Sequence, residues 1–385
     1  MQFFTVLTAA LALFMAAPTA MAAPSGLRTV ERFQGETSGK YIIQFKTRAA
    51  RRAWARRLAA ATELDIIEGV SAEVDDDTLN QLRASEDVEV VSEDGISHIF
   101  ATQTNAPWGL GRLSQRARLT NQNTGALTYT YTYDDTAGAG VDIYVLDTGV
   151  LTSHSQFGGR ARWGISYVGG TTDGHGHGTH CAGTAAGSQF GVAKRANIIA
   201  VQVLNASGSG SNTGIISGLN WVLTQSRSSG RPSVVSMSLG GGAATAVDSA
   251  VASLTAAGVH VVVAAGNSNT DAASTSPARA PSAITVGAST IADARSSFSN
   301  YGAVVDVFGP GTNVISSWIG SNTATNNISG TSMATPHIAG LVAYLIAKDG
   351  NISPAAMSTK LKSLALNGVI SGIPSGTANE LAQNF

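Results

Sequence analysis

The 385-residue chain has a single cysteine, Cys181, so no disulfide can form within it. Charge is scarce as well: 13% of residues are Asp, Glu, Lys or Arg, and the formal net charge is −1. An ordinary globular chain carries roughly 25%. With 43% apolar residues and almost no net charge, disorder is excluded, because enough surface can be buried to offset chain entropy. No strongly basic domain is present, which excludes the electrostatic footprint of a nucleic-acid binder. Beyond the first residues no run of 18 apolar residues occurs, so no spanning helix and no membrane partner are expected. Glycine is the one residue in excess, at 43 positions, but without a G-X-Y period. Collagen is thereby excluded and a turn-rich compact protein indicated.

Met1 to Ala23 has no charged side chain. Phe3 to Met15 forms a short apolar stretch, and Ala20-Met21-Ala22 supplies a small-x-small cleavage site. Residues 1–22 therefore read as a secretory leader, and the product as a soluble, extracellular monomer. Without disulfides, durability must come from a large core, a bound ion or glycans. Asn205-Ala206-Ser207, Asn327-Ile328-Ser329 and Asn351-Ile352-Ser353 fit the glycosylation pattern, so Asn205, Asn327 and Asn351 are candidates.

Charge density then breaks the chain in two. Residues 24–100 hold 10 Lys+Arg and 14 Asp+Glu, whereas residues 101–385 hold 14 and 11. The charged piece, residues 23–100, predicts a strand over Lys40–Lys46, a basic helix over Ala49–Ala61 and a hairpin around Glu68-Gly69. A helix beginning at Asp77, with acidic residues at its favourable end, and a strand over Val88–Val91 complete a small α+β unit, βαββαβ. So short a piece can bury only a thin core.

In residues 101–385, apolar runs at Val141–Leu146, Ile198–Val203, Val234–Ser238 and His260–Ala264 alternate with helical patterns at Gly214–Gln225 and Ala246–Ala257. Continuous apolar strands between helices predict an α/β fold, a mostly parallel sheet with helices on both faces. Ligands then gather at the carboxyl ends of the strands.

Three motifs fall at such positions. The first strand ends in Asp147-Thr148-Gly149, where a turn-capping Asp is the plain alternative. The second, Asp173-Gly174-His175-Gly176-His177-Gly178-Thr179-His180-Cys181-Ala182-Gly183-Thr184, holds three histidines in six residues. It lacks the i, i+4 pairing and the glutamate of a helical zinc motif, though zinc stays an alternative. The third, Gly330-Thr331-Ser332-Met333-Ala334, opens an apolar run and puts Ser332 at a helix start, where an N-cap would be the ordinary role. Taken together, a hydroxyl, a base and a carboxylate suit acyl transfer, with Asn267 after the strand His260–Ala264 as an oxyanion donor. A binding protein on an inactive scaffold would lack one of these groups, and none is missing.

These motifs, in this order, resemble those of the subtilisin-like serine proteases, and most closely the fungal proteinase K-type subfamily. The resemblance implies a broad-specificity secreted endopeptidase with Asp147, His177 and Ser332 as catalytic triad, Asn267 as side-chain oxyanion donor and His180 in a structural role. It implies that residues 23–100 are an inhibitory propeptide that assists folding and is cut off near Phe100–Ala101, leaving a peptidase domain over 101–385. It also implies that Ser238-Leu239-Gly240 and Ala264-Ala265-Gly266 hold protein and peptide substrates as an added strand. Structural calcium is implied at Pro281 and Ala283 carbonyls and the Asp306 carboxylate, with no catalytic metal. Two departures stand out. Cys181 has no partner and reads as a buried apolar residue. His175 stands where relatives usually carry asparagine and is given no role, and Asn212 stands where some members place a tyrosine on the rim of the outer substrate pocket, so no aromatic preference is carried over there.

Overall fold

In the computed structural model, which describes residues 26–33, 37–96 and 100–385, the chain forms two compact units that divide between Ile96 and Ser97. The leader expected over residues 1–22 lies outside the described residues.

The smaller unit runs β1 (Thr37–Phe45), α1 (Arg48–Ala55), β2 (Thr62–Leu64), β3 (Gly69–Ala72), α2 (Asp76–Ala84) and β4 (Val88–Gly95), the expected βαββαβ order. Its sheet is ordered β2-β3-β1-β4. Thr47 and Asp75 cap the two helices by accepting from Ala50 N–H and Thr78 N–H. The basic helix stops at Ala55 instead of continuing to Ala61, and Ala60 turns the chain at φ 51°. Ile43, Phe45, Trp54, Val70, Leu82 and Val91 fill its core.

The larger unit begins with β5 (Phe100–Ala106), α3 (Trp108–Leu113) and β6 (Tyr129–Asp134). There follow β7 (Asp142–Asp147), β8 (Ala161–Ser166), α4 (His177–Ala186), β9 (Asn197–Gln202), α5 (Asn212–Ser229), β10 (Ser233–Met237), β11 (Gly241–Gly242), α6 (Thr245–Ala256) and β12 (His260–Ala264). The chain closes with β13 (Thr275–Ser276), β14 (Ile284–Ser289), β15 (Val307–Pro310), β16 (Val314–Ser317), β17 (Thr325–Ile328), α7 (Thr331–Asp349), α8 (Pro354–Leu364), β18 (Leu366–Asn367) and β19 (Glu380–Leu381). The main sheet is ordered β18-β19-β15-β14-β12-β10-β7-β9-β8. Its pairings are parallel from β19 through β8, and only β18 runs antiparallel.

Strand alternation sorts the core into two halves. Ile143, Val145, Ile198, Ala200, Val234 and Val262 pack with Cys181, Ala182, Ala185, Ile338 and Leu341 of α4 and α7. Their neighbours Tyr144, Leu146, Ile199, Val201, Val235 and Val263 pack with Ile215, Leu219, Val222, Val251 and Leu254 of α5 and α6. A period of two inside continuously apolar strands is what a sheet covered on both faces requires.

Two ion pairs, one buried and one with an exposed arginine, tie distant segments together. Arg112 on α3 meets Asp293 through Nε at 2.8 Å and Nη2 at 3.1 Å, both residues buried. Arg231 grips Asp142 at the start of β7 through two bonds of 2.9 Å.

Candidate active site

β7 delivers Asp147 to its carboxyl end, where the side chain is wholly buried. Thr148 N–H donates to Asp147 Oδ1 at 2.7 Å. His177 opens α4 and sets Nδ1 at 2.7 and 2.9 Å from the two Asp147 oxygens. An ionised carboxylate only accepts, so the proton sits on Nδ1 and Nε2 is left as the ring's acceptor. The contact depends on Gly178: a Cβ there would lie 2.1 Å from Gly149 O and 3.1 Å from Asp147 Cβ. Gly176, at φ 100°, likewise passes so close to Trp318 that a Cβ would stand 2.6 Å from its ring.

Two opposing effects set the charge of His177. Burial pushes its pKa down, and the Asp147 carboxylate in contact with Nδ1 more than reverses this, holding it well above the usual histidine range. Cys181 sits beneath the ring, Sγ 4.0 Å from Nδ1. Burial pushes that thiol up, so it stays neutral and apolar in character.

The histidine loop is organised by Asp173, which opens the motif but had no role assigned from sequence. This buried carboxylate accepts from Thr148 Oγ1 (2.9 Å), His175 N–H (3.0 Å), Gly176 N–H (2.8 Å), Thr179 N–H (3.0 Å) and Thr179 Oγ1 (2.6 Å). Thr148 in turn accepts from Gly178 N–H at 3.0 Å, so the Asp147 turn and the start of α4 share one network. An Asp before a glycine-rich stretch was the only available signal, and it reads as an ordinary turn.

Ser332 is the second residue of α7, partly exposed, with the helix's first N–H groups around it. Pro336 lies four residues on and has no N–H, so Ser332 C=O loses its intrahelical donor. Ser238 Oγ at 2.8 Å and Cys181 Sγ at 3.4 Å donate to it instead. The Ser332 hydroxyl donates to Ser238 O at 3.3 Å, and no Ser332–His177 hydrogen bond forms among the described residues. Asn267 Oδ1 accepts from Thr331 N–H at 2.8 Å and Thr331 Oγ1 at 2.9 Å. That fixes the amide's orientation and leaves Nδ2 as a donor beside Gly330. Asn300 secures the loop that carries Asn267: its Oδ1 accepts from Ser268 and Thr270 N–H, and its Nδ2 donates to Ala265 O.

Two adjoining clefts share Leu239, Gly240 and Gly241 along their boundary. One, of about 530 Å³, is lined by His177, His175, Asn212, Ser238, Ile215 and Val247 among others; the second, of about 380 Å³, by Ala264, Gly266, Asn267 and Ser332. Ser238, Leu239, Gly240, Ala264 and Gly266 thus border the groove. Ala265 is buried behind it, with N–H on Val286 O and C=O on Asn300.

The three histidines do not converge. His180 is buried with Nε2 at 3.0 Å from Val314 O, and burial takes its pKa down to about 3. Among the described residues, the cluster close enough to share an ion is Asp147, His177 and Cys181, a different set from the zinc alternative. Asn205, Asn327 and Asn351 are all exposed.

Of the residues expected to hold structural calcium, Asp306 has both carboxylate oxygens engaged by other groups. Asp306 Oδ1 is 2.6 Å from Lys362 Nζ, and Oδ2 accepts from Thr285 N–H at 2.8 Å.

Fold and similarity together define a subtilisin-like serine endopeptidase. A crystal structure of a cold-adapted subtilisin-like serine proteinase superposes with a TM-score of 0.66 at 45% identity, covering 73% of this chain and 99% of that one. Residues 138–381 match the Subtilase family, and the chain belongs to it. Among relatives, the cuticle-degrading protease of Metarhizium anisopliae is 48% identical over 90% of this chain and 89% of its own. Proteinase R of Parengyodontium album is 46% identical over 91% and 90%. Among the described residues, no helix is long and apolar enough to cross a membrane.

Proposed function

We propose that Asp147, His177 and Ser332 form the catalytic triad of a secreted, broad-specificity endopeptidase made as a self-processing zymogen. The observation that carries this reading is the two-oxygen grip of Asp147 on His177 Nδ1, which leaves Nε2 as the acceptor of a ring that lines a cleft adjoining the one lined by Ser332 and Asn267.

In this reading the Ser332 hydroxyl, which now donates to Ser238 O, turns its proton to His177 when substrate binds. As Oγ forms its bond to the peptide carbonyl, Nε2 takes the hydroxyl proton and Asp147 stabilises the imidazolium. Asn267 Nδ2 and Ser332 N–H hold the oxyanion. The same proton passes to the leaving amine as the C–N bond breaks, and water repeats the sequence on the acyl-enzyme. Ser238 to Gly240 and Ala264 to Gly266 offer the substrate main-chain pairing, a mode that reads little side-chain identity and so supports broad specificity.

In this reading residues 1–22 direct export, residues 23–100 are the enzyme's own inhibitor and folding aid, and residues 101–385 act as a monomer. Phe100 and Ala101 pair with Asp134 and Tyr133 in β5, so cutting between them in cis requires the start of that strand to leave β6. Asn205, Asn327 and Asn351 are its glycosylation candidates. Because Asp306 is engaged by Lys362, no calcium enters the reading at Pro281, Ala283 and Asp306.

A serine-directed phosphonylating reagent tests the assignment. One adduct on the Ser332 peptide should accompany complete loss of peptidase activity. Activity surviving that adduct, or an adduct on another serine, would overturn it.

A further inference from the structure

The side chains around Asp306 already contain a cation. Asp306 stands just before β15, and its Oδ1 lies 2.6 Å from Nζ of Lys362 on α8. Its other oxygen accepts from Thr285 N–H. A third charge is close by: Phe308 pairs with Leu381 in parallel strands, which sets Glu380 opposite Val307, one residue from Asp306. Glu380 Oε2 is buried without a hydrogen-bond partner. Burial raises the Glu380 pKa and Lys362 opposes that rise, so the ammonium acts on both carboxylates.

We infer that the Lys362 ammonium takes the place of a calcium ion here, and that Asp306 binds no calcium in this chain. Calcium needs six to eight oxygen ligands at about 2.3–2.6 Å. Asp306 cannot supply one while its Oδ1 is paired, and an incoming divalent ion would face the like charge of a tethered ammonium. The lysine needs no capture from solution, because its helix holds it in place: Met357 and Leu361 of α8 are buried beside it. Lys362 itself remains partly exposed, at 40% of its side-chain surface, so its stem can be altered without opening the core. Removing its charge would leave Asp306 and Glu380 as neighbouring acids with no ammonium between them, and carboxylate oxygens are ligands that suit calcium. This inference is independent of the catalytic assignment.

Thermal unfolding of the full chain, carrying Ser332→Ala to prevent self-digestion, tests it in EGTA and in millimolar calcium. Three proteins are compared: this parent, parent with Lys362→Met, and parent with Asp306→Asn, whose amide oxygen keeps the Thr285 bond. Calcium should raise the midpoint of Lys362→Met by about 2 °C or more beyond its effect on the parent. The parent and Asp306→Asn should respond to calcium equally, whatever sites exist elsewhere. A calcium response that the parent has and Asp306→Asn has lost would overturn the inference. So would a Lys362→Met protein that gains no calcium response. Should Lys362→Met fail to fold, the comparison of parent with Asp306→Asn decides alone.

Discussion

Pro336 withholds a backbone donor from Ser332, and the carbonyl so released is held by Ser238 Oγ at 2.8 Å and Cys181 Sγ at 3.4 Å. A proline inside a helix usually costs stability. Here it ties the proposed nucleophile's own backbone to the groove strand on one side and to the floor beneath His177 on the other. Pro336→Ala should return an N–H to the helix and compete for that carbonyl. We expect kcat to fall about tenfold through misplacement of Ser332, while the unfolding midpoint stays level or rises. Unchanged kcat in steady-state assays would show that the released carbonyl has no positioning role.

The charge state of His177 sets a pH profile. Protonated, it cannot accept the Ser332 proton, so activity appears as pH rises through its pKa. Asp147 holds that pKa above the usual histidine range, so kcat/KM should climb with a midpoint above about 6.5 and persist at alkaline pH. A profile that peaks near pH 4 and falls above 6 would contradict a histidine base.

Asn267 has its oxygen committed to Thr331 and its nitrogen free. Asn267→Ala should lower kcat by about 10²–10³, the cost found when such a donor is removed from subtilisin itself, with KM little changed. A purely structural role would lower the unfolding midpoint and leave kcat near its original value.

Asp173 collects five donors in the interior, and Asp173→Ala would leave them unsatisfied. A loss of about 3 kcal/mol or more is expected in denaturant unfolding, together with loss of the His177 geometry. A stable, fully active Asp173→Ala protein would refute this account of the loop.

Cys181 tests the opposite expectation. As a neutral buried thiol it should be replaceable, so Cys181→Ala should keep kcat within about threefold and cost about 1–2 kcal/mol in packing. Abolished activity in a folded Cys181→Ala protein would give the thiol a chemical part.

The sheet was legible because Val141–Leu146, Ile198–Val203, Val234–Ser238 and His260–Ala264 are nearly pure apolar runs, and each falls within two residues of β7, β9, β10 and β12. The helix that starts at His177 was not, since its glycines serve a close approach to β7 that only the folded chain reveals. The triad residues could be named from short motifs and their order. Asp173 and Asn300 could not, because their work is to accept and donate within loops that have no period. The Lys362–Asp306 pair joins α8 to the edge of β15, a contact that neither segment announces by itself.

The most direct test is the intact mass of the secreted protein, wild type beside Ser332→Ala from one host. Wild type should appear as about residues 101–385, and Ser332→Ala should retain residues 23–100. Identical trimming of both would mean that another protease makes the cut, and retention in both would contradict a self-processing zymogen.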